Sequence, residues 1–525
     1  MMRHWLGWTA LLALLGACDG LTTHSLPPRY ATLGKSVTLA LGWTPAQPQV
    51  KVAGKALGSQ VQGNAVVFTI PAPTPNQDGT YSGGGWGGPQ TLEVLDGQHR
   101  ATGTLYVLGR SYLAAGSPPT ALLLSAPGAT KDQISQFLAG TQLPFSTTIT
   151  PLGGPGVCAG SLVEATYTGT SSSFEEVLSE LDRRAAGRPD VILGVNPIST
   201  WGTGAEYTPL DGREEVAAPA AHARGLTGKG TLIAVLDTGV GLQSFSEWGS
   251  RLLPGKRFTA AGESEYTGDD YVGNLAGEDG VPTGGQAQGH GSQVASLAAG
   301  NQFGVAPGAE VLPVKVCDPQ GRCRTSDVVR GVCWALGYAD ARFKGDLRPL
   351  VLNLSLGGDT GGFERDVLEL ILKQAIALGV TVVASAGNDW DDYLRGALYE
   401  PRSYPAAFDL GGLIAVGAVR KPAGSATLEP SAYSNRGAWV DLLAPGSLVK
   451  ATDAYGQPRD TNRGTSFAAP LVAGAVALWR QKLPGASPLE LQNKILESAS
   501  TGRVTLPEAD RGRLTDRLLD LGGEP

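Results

Sequence analysis

Charge is scarce in this chain of 525 residues: Asp, Glu, Lys and Arg together make up 17%, and the balance is mildly acidic at −7. A nucleic-acid-binding face needs a basic patch or stripe, so no nucleic-acid partner is expected. Histidine is scarcer still, with five residues, and cysteine also numbers five. The cysteines at 158, 317, 323 and 333 lack paired CxxC spacing and have no histidine near them in sequence, which argues against a zinc site. The apolar run at 5–15 is too short to span a bilayer. What is present is a globular composition, with 42% hydrophobic residues and 74 glycines interspersed among apolar runs, in a chain long enough for several domains.

The N-terminus reads as an export signal over 1–17: Arg3 gives the positive end, the apolar run follows, and small residues precede Cys18. Leu15-Gly16-Ala17-Cys18 resembles a bacterial lipobox, which implies a lipidated Cys18, a tether over 18–25 and a membrane partner; the alternative is an ordinary secretory signal with a chance cysteine. In an exported chain disulfides are permitted, and the four remaining cysteines allow three connectivities. Cys317 and Cys323 flank a turn-rich loop, so their pairing is the local favourite.

From 26 to 112 short strands at 36–41, 49–52, 65–70, 91–94 and 101–107 alternate with Gly, Pro and Asn breaks, which predicts a small immunoglobulin-like β-sandwich. A Pro-rich linker follows, and 118–200 mixes strands at 121–124, 162–167 and 191–195 with helical stretches at 131–138 and 173–186, a compact α+β unit. After a loop-rich linker over 201–213 the pattern changes. Nearly continuous apolar strands at 231–236, 310–316, 350–355, 380–385 and 413–419 alternate with helices at 292–299, 326–338, 363–378, 466–481 and 488–498. Strands apolar on both faces with helices between them predict a doubly wound parallel α/β sheet over 214–525, whose ligands bind outside the carboxyl ends of the strands.

Four residues stand at such ends or at helix starts. Ser466 lies at the mouth of an apolar helix, where Pro470 is expected near the start; the unpaired N–H groups there favour a developing oxyanion, although a plain helix cap explains a serine equally well. Asp237 ends a buried strand and needs a partner, or caps the next loop. Asn388, after Gly387, ends another strand, or is a turn residue. After His222 the only histidine is His290, at a helix start between two glycines. A serine nucleophile needs a base that titrates near neutrality, and His290 is almost the only natural candidate in this part of the chain.

Asp237-Thr238-Gly239, Gly289-His290-Gly291 and Gly464-Thr465-Ser466-Phe467-Ala468-Ala469-Pro470, in that order, resemble the three active-site motifs of the subtilisin-like serine proteases, or subtilases. Gly304-Val305-Ala306-Pro307, Asn353-Leu354-Ser355-Leu356-Gly357, Tyr404-Pro405-Ala406-Ala407 and Ala444-Pro445-Gly446 match the family as well. The resemblance implies a serine endopeptidase acting on polypeptides without a required cofactor. Ser466 would be nucleophile, His290 general base, Asp237 its orienting partner and Asn388 an oxyanion donor, with Ser355, Leu356 and Gly357 pairing with the substrate main chain. Ser292, Phe467, Ala469 and Leu471 depart from the family's usual residues.

The resemblance carries no calcium site at 299–304, which is shorter than the family's calcium loop. Asp269, Asp270, Glu278 and Asp279 form an acidic loop that suits calcium or is simply solvated, and Asp389, Asp391 and Asp392 either favour basic substrates or are solvated likewise. The 118–200 unit resembles the family's propeptides, which implies self-processing between about 196 and 228 and a partner within the same chain. The competing reading is a surface binding lipoprotein with an inactive α/β scaffold, its β-sandwich being the working part. Such a scaffold would be expected to lose Asp237, His290, Asn388 or Ser466, and none is lost.

Overall fold

The structure, a computed structural model, describes residues 22–72, 74–75, 81–82, 88–108, 120–125, 129–130, 133–134, 145–168, 174–185, 191–195, 198–199, 208–241, 245–259, 262–266, 268, 270, 289–318, 321–359, 361, 366–394, 400–461 and 463–523. Cys18, most of the stretch at 131–138, and Asp269, Glu278 and Asp279 lie outside them.

The C-terminal part is built on a nine-stranded sheet in the order Gly262–Glu265, Lys256–Thr259, Glu310–Lys315, Leu232–Asp237, Leu350–Leu354, Thr381–Ser385, Leu413–Arg420 and Glu429–Pro430, with Leu442–Pro445 also pairing with Leu413–Arg420. Only the pairings of Gly262–Glu265 and Glu429–Pro430 are antiparallel. Side chains alternate across the Asp237 strand: Ile233 and Val235 enter a core with the helices His290–Ala299 and Thr465–Lys482, while Leu232, Ala234 and Leu236 enter one with Thr325–Phe343 and Val367–Ala377. The chain leaves the Asp237 strand for one flank of the sheet and later returns to the other, so the order reverses at this strand, the position where ligands of such sheets bind. This is the doubly wound α/β unit expected for the region.

One helix end agrees with expectation and another differs. Thr465–Lys482 starts one residue before the expected 466, and Pro470 is its sixth residue. A proline there removes the N–H that would bond the Ser466 carbonyl. Ser355 Oγ donates to that carbonyl instead, at 2.8 Å, so the helix tolerates the proline. The helix expected over 326–338 runs on to Phe343, because Ala339-Asp340-Ala341-Arg342 keeps helix-forming residues until Lys344 turns left-handed at φ 53°.

Before this unit lie two smaller ones. Strands Thr22–Ser25, Arg29–Thr32, Gln49–Val52, Lys55–Leu57, Gly88–Asp96 and His99–Leu108 form one sheet, and Ser36–Ala40, Ser59–Gln62 and Ala65–Thr69 another. Leu39, Val50, Val52, Phe68, Leu92 and Leu105 share the core between them. Next, Phe145–Pro151, Ser161–Tyr167, Thr120–Ser125 and Val191–Val195 make a four-stranded antiparallel sheet. One face, through Ala121, Leu123 and Val163, covers the helix Phe174–Ala185. The other, through Leu122, Leu124 and Leu162, packs into the same core as Thr325–Phe343 and Val367–Ala377. Cys158 of this unit is bonded to Cys333 of Thr325–Phe343, and Cys317 to Cys323.

Candidate active site

Asp237 is the last residue of its strand and is 1% exposed, so its carboxylate depends on partners within the protein, and these gather on one oxygen. Its Oδ1 accepts from the Thr238 backbone N–H at 2.7 Å and from His290 Nδ1 at 2.7 Å. An ionised carboxylate only accepts, so the hydrogen on the ring sits on Nδ1 and the Nε2 lone pair is left to act as a base. The Lys315 ammonium, paired in register with Asp237, donates to the Thr238 carbonyl and places a positive charge at the same strand end.

His290 opens its helix because Gly289, at φ 77°, turns the chain into it. Gly291 then packs against the loop after Asp237. A Cβ on Gly291 would stand 2.0 Å from the Gly239 carbonyl oxygen, so any side chain there would push the imidazole away from Asp237. The two glycine-bearing motifs are two sides of one contact.

The Ser466 helix reaches this point by a close crossing. A Cβ on Gly474 would lie 2.7 Å from the Ala298 carbonyl, so glycine lets the two helices approach backbone to backbone. Ser466, second in its helix and 2% exposed, donates from Oγ to the Ser355 carbonyl at 3.1 Å. Its neighbour Phe467 sets its ring 5.3 Å from the His290 ring, tilted by 49°, so this departure from the family forms one wall of the imidazole site.

Asn388 follows the Thr381–Ser385 strand, and its Oδ1 accepts from Thr465 N at 2.9 Å and Thr465 Oγ1 at 3.0 Å. The amide oxygen is thereby used up on the residue just before Ser466, which aims Nδ2, its donor end, elsewhere. Ser355 and Leu356 are buried, Gly357 is half-buried, and Asn353 Nδ2 donates to Ser355 Oγ at 2.9 Å. Their side chains hold the segment down.

Asp237, His290, Ser466, Asn388 and Ser355-Leu356-Gly357 thus come together at the carboxyl ends of neighbouring strands. Cys317 follows another of these ends, and its bond to Cys323 closes the loop there. Asp391 pairs with Arg463 at 3.3 Å and Asp389 accepts from Asn435 at 3.4 Å, so neither charge is solvated alone; the side chain of Asp392 lies outside the described residues. Asp270 is buried at 6% exposure, so it is not a solvated charge. Among the described residues no group of three or more His, Cys, Asp or Glu could hold a metal ion.

Thr238, Asp270, Lys315 and Thr465 were not singled out from sequence as parts of the site. Thr238 and Thr465 lie within the motifs quoted above, which is the signal that could have found them. Asp270 and Lys315 carry no such mark.

A sequence profile of the subtilase family matches residues 228–517. The extracellular serine proteinase of Thermus sp. (strain Rt41A) is 32% identical over 334 residues, covering 62% of this chain and 67% of that protein. Subtilisin BL of Lederbergia lenta is 34% identical over 295 residues, covering 55% of this chain and 91% of that protein. A solved structure of a cold adapted subtilisin-like serine proteinase aligns at 30% identity and a TM-score of 0.43, over 56% of this chain and 90% of that one.

Proposed function

Because this chain belongs to the subtilase family of serine proteases, we propose that it is an exported endopeptidase in which Ser466, His290 and Asp237 form the catalytic triad and Asn388 serves the oxyanion. The observation that carries this reading is the 2.7 Å bond from His290 Nδ1 to Asp237 beside the mouth of the Ser466 helix.

The Ser466 hydroxyl leaves the Ser355 carbonyl, gives its proton to His290 Nε2 and attacks the scissile carbonyl carbon; Asp237 stabilises the imidazolium that results. The negative charge on the carbonyl oxygen is met by the Ser466 backbone N–H, at the positive end of a long helix, and by Asn388 Nδ2. His290 then returns the proton to the leaving amine, and water, activated by the same nitrogen, frees the acyl group from Ser466. The main chain of Ser355-Leu356-Gly357 pairs with an extended substrate, which recognises peptide backbone rather than one side chain. No metal or other cofactor takes part in these steps, and calcium, if bound, serves stability.

The α+β unit is proposed to act as the propeptide. Beyond its Val191–Val195 strand, Ile198–Ser199 pairs antiparallel with Cys323–Arg324 of the α/β unit. Cutting downstream would separate the peptide but not the two units, since Cys158 is bonded to Cys333. A lipidated Cys18 would then hold the processed enzyme at the cell envelope until that bond is reduced.

Incubation of the exported protein with casein and a serine-directed phosphonofluoridate tests the central reading. The expected result is a label on Ser466 together with loss of casein cleavage. Neither turnover nor label would mean that the α/β unit is an inactive scaffold.

A further inference from the structure

We infer that Asp270 is a positioning residue of the catalytic pair, its carboxylate tying the end of the Asp237 strand to the mouth of the His290 helix. This rests on the triad reading and adds a residue to it.

One oxygen of Asp270 accepts from Thr238 Oγ1 at 2.8 Å and the other from the Ser292 backbone N–H at 2.8 Å. Thr238 is the residue after Asp237, and Ser292 is two beyond His290, so one carboxylate reaches both halves of the pair. Thr238 Oγ1 also accepts from the Gly291 N–H at 3.0 Å, which closes a ring of bonds through Asp270, Ser292, Gly291 and Thr238. The helix has no cap of its own, because its N-cap residue is Gly289 and carries no side chain. The first N–H groups of a helix have no partner within it, so here they take acceptors from elsewhere in the chain, and an anionic one suits the positive end of the helix dipole.

Asp270 is 6% exposed. Burial pushes its carboxyl above the usual carboxylate range, the bonds from Ser292 and Thr238 work against that, and the charge of Asp237 adds to the rise. A second buried carboxylate beside Asp237 is unfavourable in itself, so its presence calls for a function that an apolar residue could not fill. Joining two backbone segments through two acceptor oxygens is such a function, and the segments it joins are those that set the His290–Asp237 distance. The base must hold its orientation to within a fraction of an ångström to take a proton efficiently, whereas substrate backbone pairing at Ser355-Leu356-Gly357 lies on other strands.

The test is steady-state kinetics of Asp270→Ala, with every rate divided by the concentration of sites titrated with the phosphonofluoridate, so that misfolded protein is not counted. The expected result is a fall in kcat of about tenfold to a hundredfold with KM within about threefold of wild type. Asp270→Asn keeps the volume and one acceptor and is expected to recover part of kcat; it also carries the test if the alanine variant does not fold. Thr238→Val removes the other anchor, and its loss combined with Asp270→Ala is expected to be smaller than the product of the two single losses. A kcat per titrated site within about twofold of wild type in both Asp270 variants would reduce the residue to a helix cap and overturn the inference. Wild-type protein that takes no label would overturn the triad reading, and this inference with it, so the two failures are distinguishable.

Discussion

The α/β unit and the four-stranded unit packed on its back bury apolar faces in the same way, yet they carry information of different kinds. In the α/β unit the polar residues are concentrated at strand ends, where Asp237, His290, Asn388 and Ser466 meet through short bonds or through a single intervening residue. Among the described residues of the smaller unit no comparable group of polar side chains contributes to the site. Leu122, Leu124 and Leu162 supply a surface for Thr325–Phe343 and Val367–Ala377, and Cys158 supplies a covalent tie. Chemistry thus reads from single residues in the first unit, and attachment reads from a shared face in the second. Changes to the first should alter rate by orders of magnitude with little effect on assembly, and changes to the second should do the reverse.

The sharpest break of that contrast lies in the proposed triad. Ser466→Ala and His290→Ala are each expected to lower kcat on a peptide substrate by on the order of 10⁶, the loss that such changes cause in subtilisin. Retention of more than a tenth of wild-type turnover in either would remove the residue from catalysis. Asn388→Ala is expected to cost about 10² to 10³ in kcat, as loss of one oxyanion donor does, with the protein still folded and still labelled slowly by the phosphonofluoridate. Equal kcat for Asn388→Ala and wild type would leave the Thr465 contact as a purely structural one.

On the other side of the comparison, the double variant Cys158→Ser, Cys333→Ser is expected to lose about 3 kcal/mol of stability in urea unfolding. Under the proposed processing it should also release the N-terminal fragment on a gel run without reductant, whereas wild type cut at the same place should stay one species until reduced. Unreduced wild type that already runs as two fragments would show that the tie does not hold the units together.

The smallest effect is a pH dependence at the interface. Burial raises the Asp327 carboxyl to about 6, Arg330 partly offsets this, and Glu164 of the smaller unit adds to the rise. A carboxyl raised in the folded state binds its proton more tightly there than in the unfolded chain, whose value is near 3.8. Stability from this group therefore falls as pH rises from about 4 to about 6 and does not recover above that window. The loss is on the order of 2 kcal/mol, and Asp327→Asn is expected to flatten it. Urea midpoints of the two proteins at about pH 4 and about pH 7 provide the measurement, and parallel pH dependences would mean that Glu164 and burial do not press on Asp327 in this way.

Much of the α/β unit was legible because its signals are local. Leu232-Ile233-Ala234-Val235-Leu236 is apolar on both faces, and only a strand covered by helices on both sides suits it. The small-residue run after Ser466 predicts a buried helix, and every residue from Thr465 to Arg480 is buried. What the sequence does not show is how the helix tolerates Pro470, since the residue that takes the Ser466 carbonyl in place of its missing N–H, Ser355, is 111 positions away from Ser466. Asp270 was grouped with an acidic loop for a similar reason: charge density is visible along the chain, whereas the Thr238 and Ser292 groups that claim its two oxygens are not adjacent to it.

By itself the sequence determined which kinds of side chain stand at strand ends and helix mouths, because apolar periodicity, glycine and proline act within a few residues of one another. Only the tertiary structure decided which of those groups meet: that Asp270 rather than another carboxylate caps the His290 helix, that Thr465 takes the oxygen end of Asn388, and that Cys158 finds Cys333 across 175 residues. Hydrogen bonds and disulfides form over a few ångströms in definite directions. Those distances and directions are set by how the helices and sheets pack.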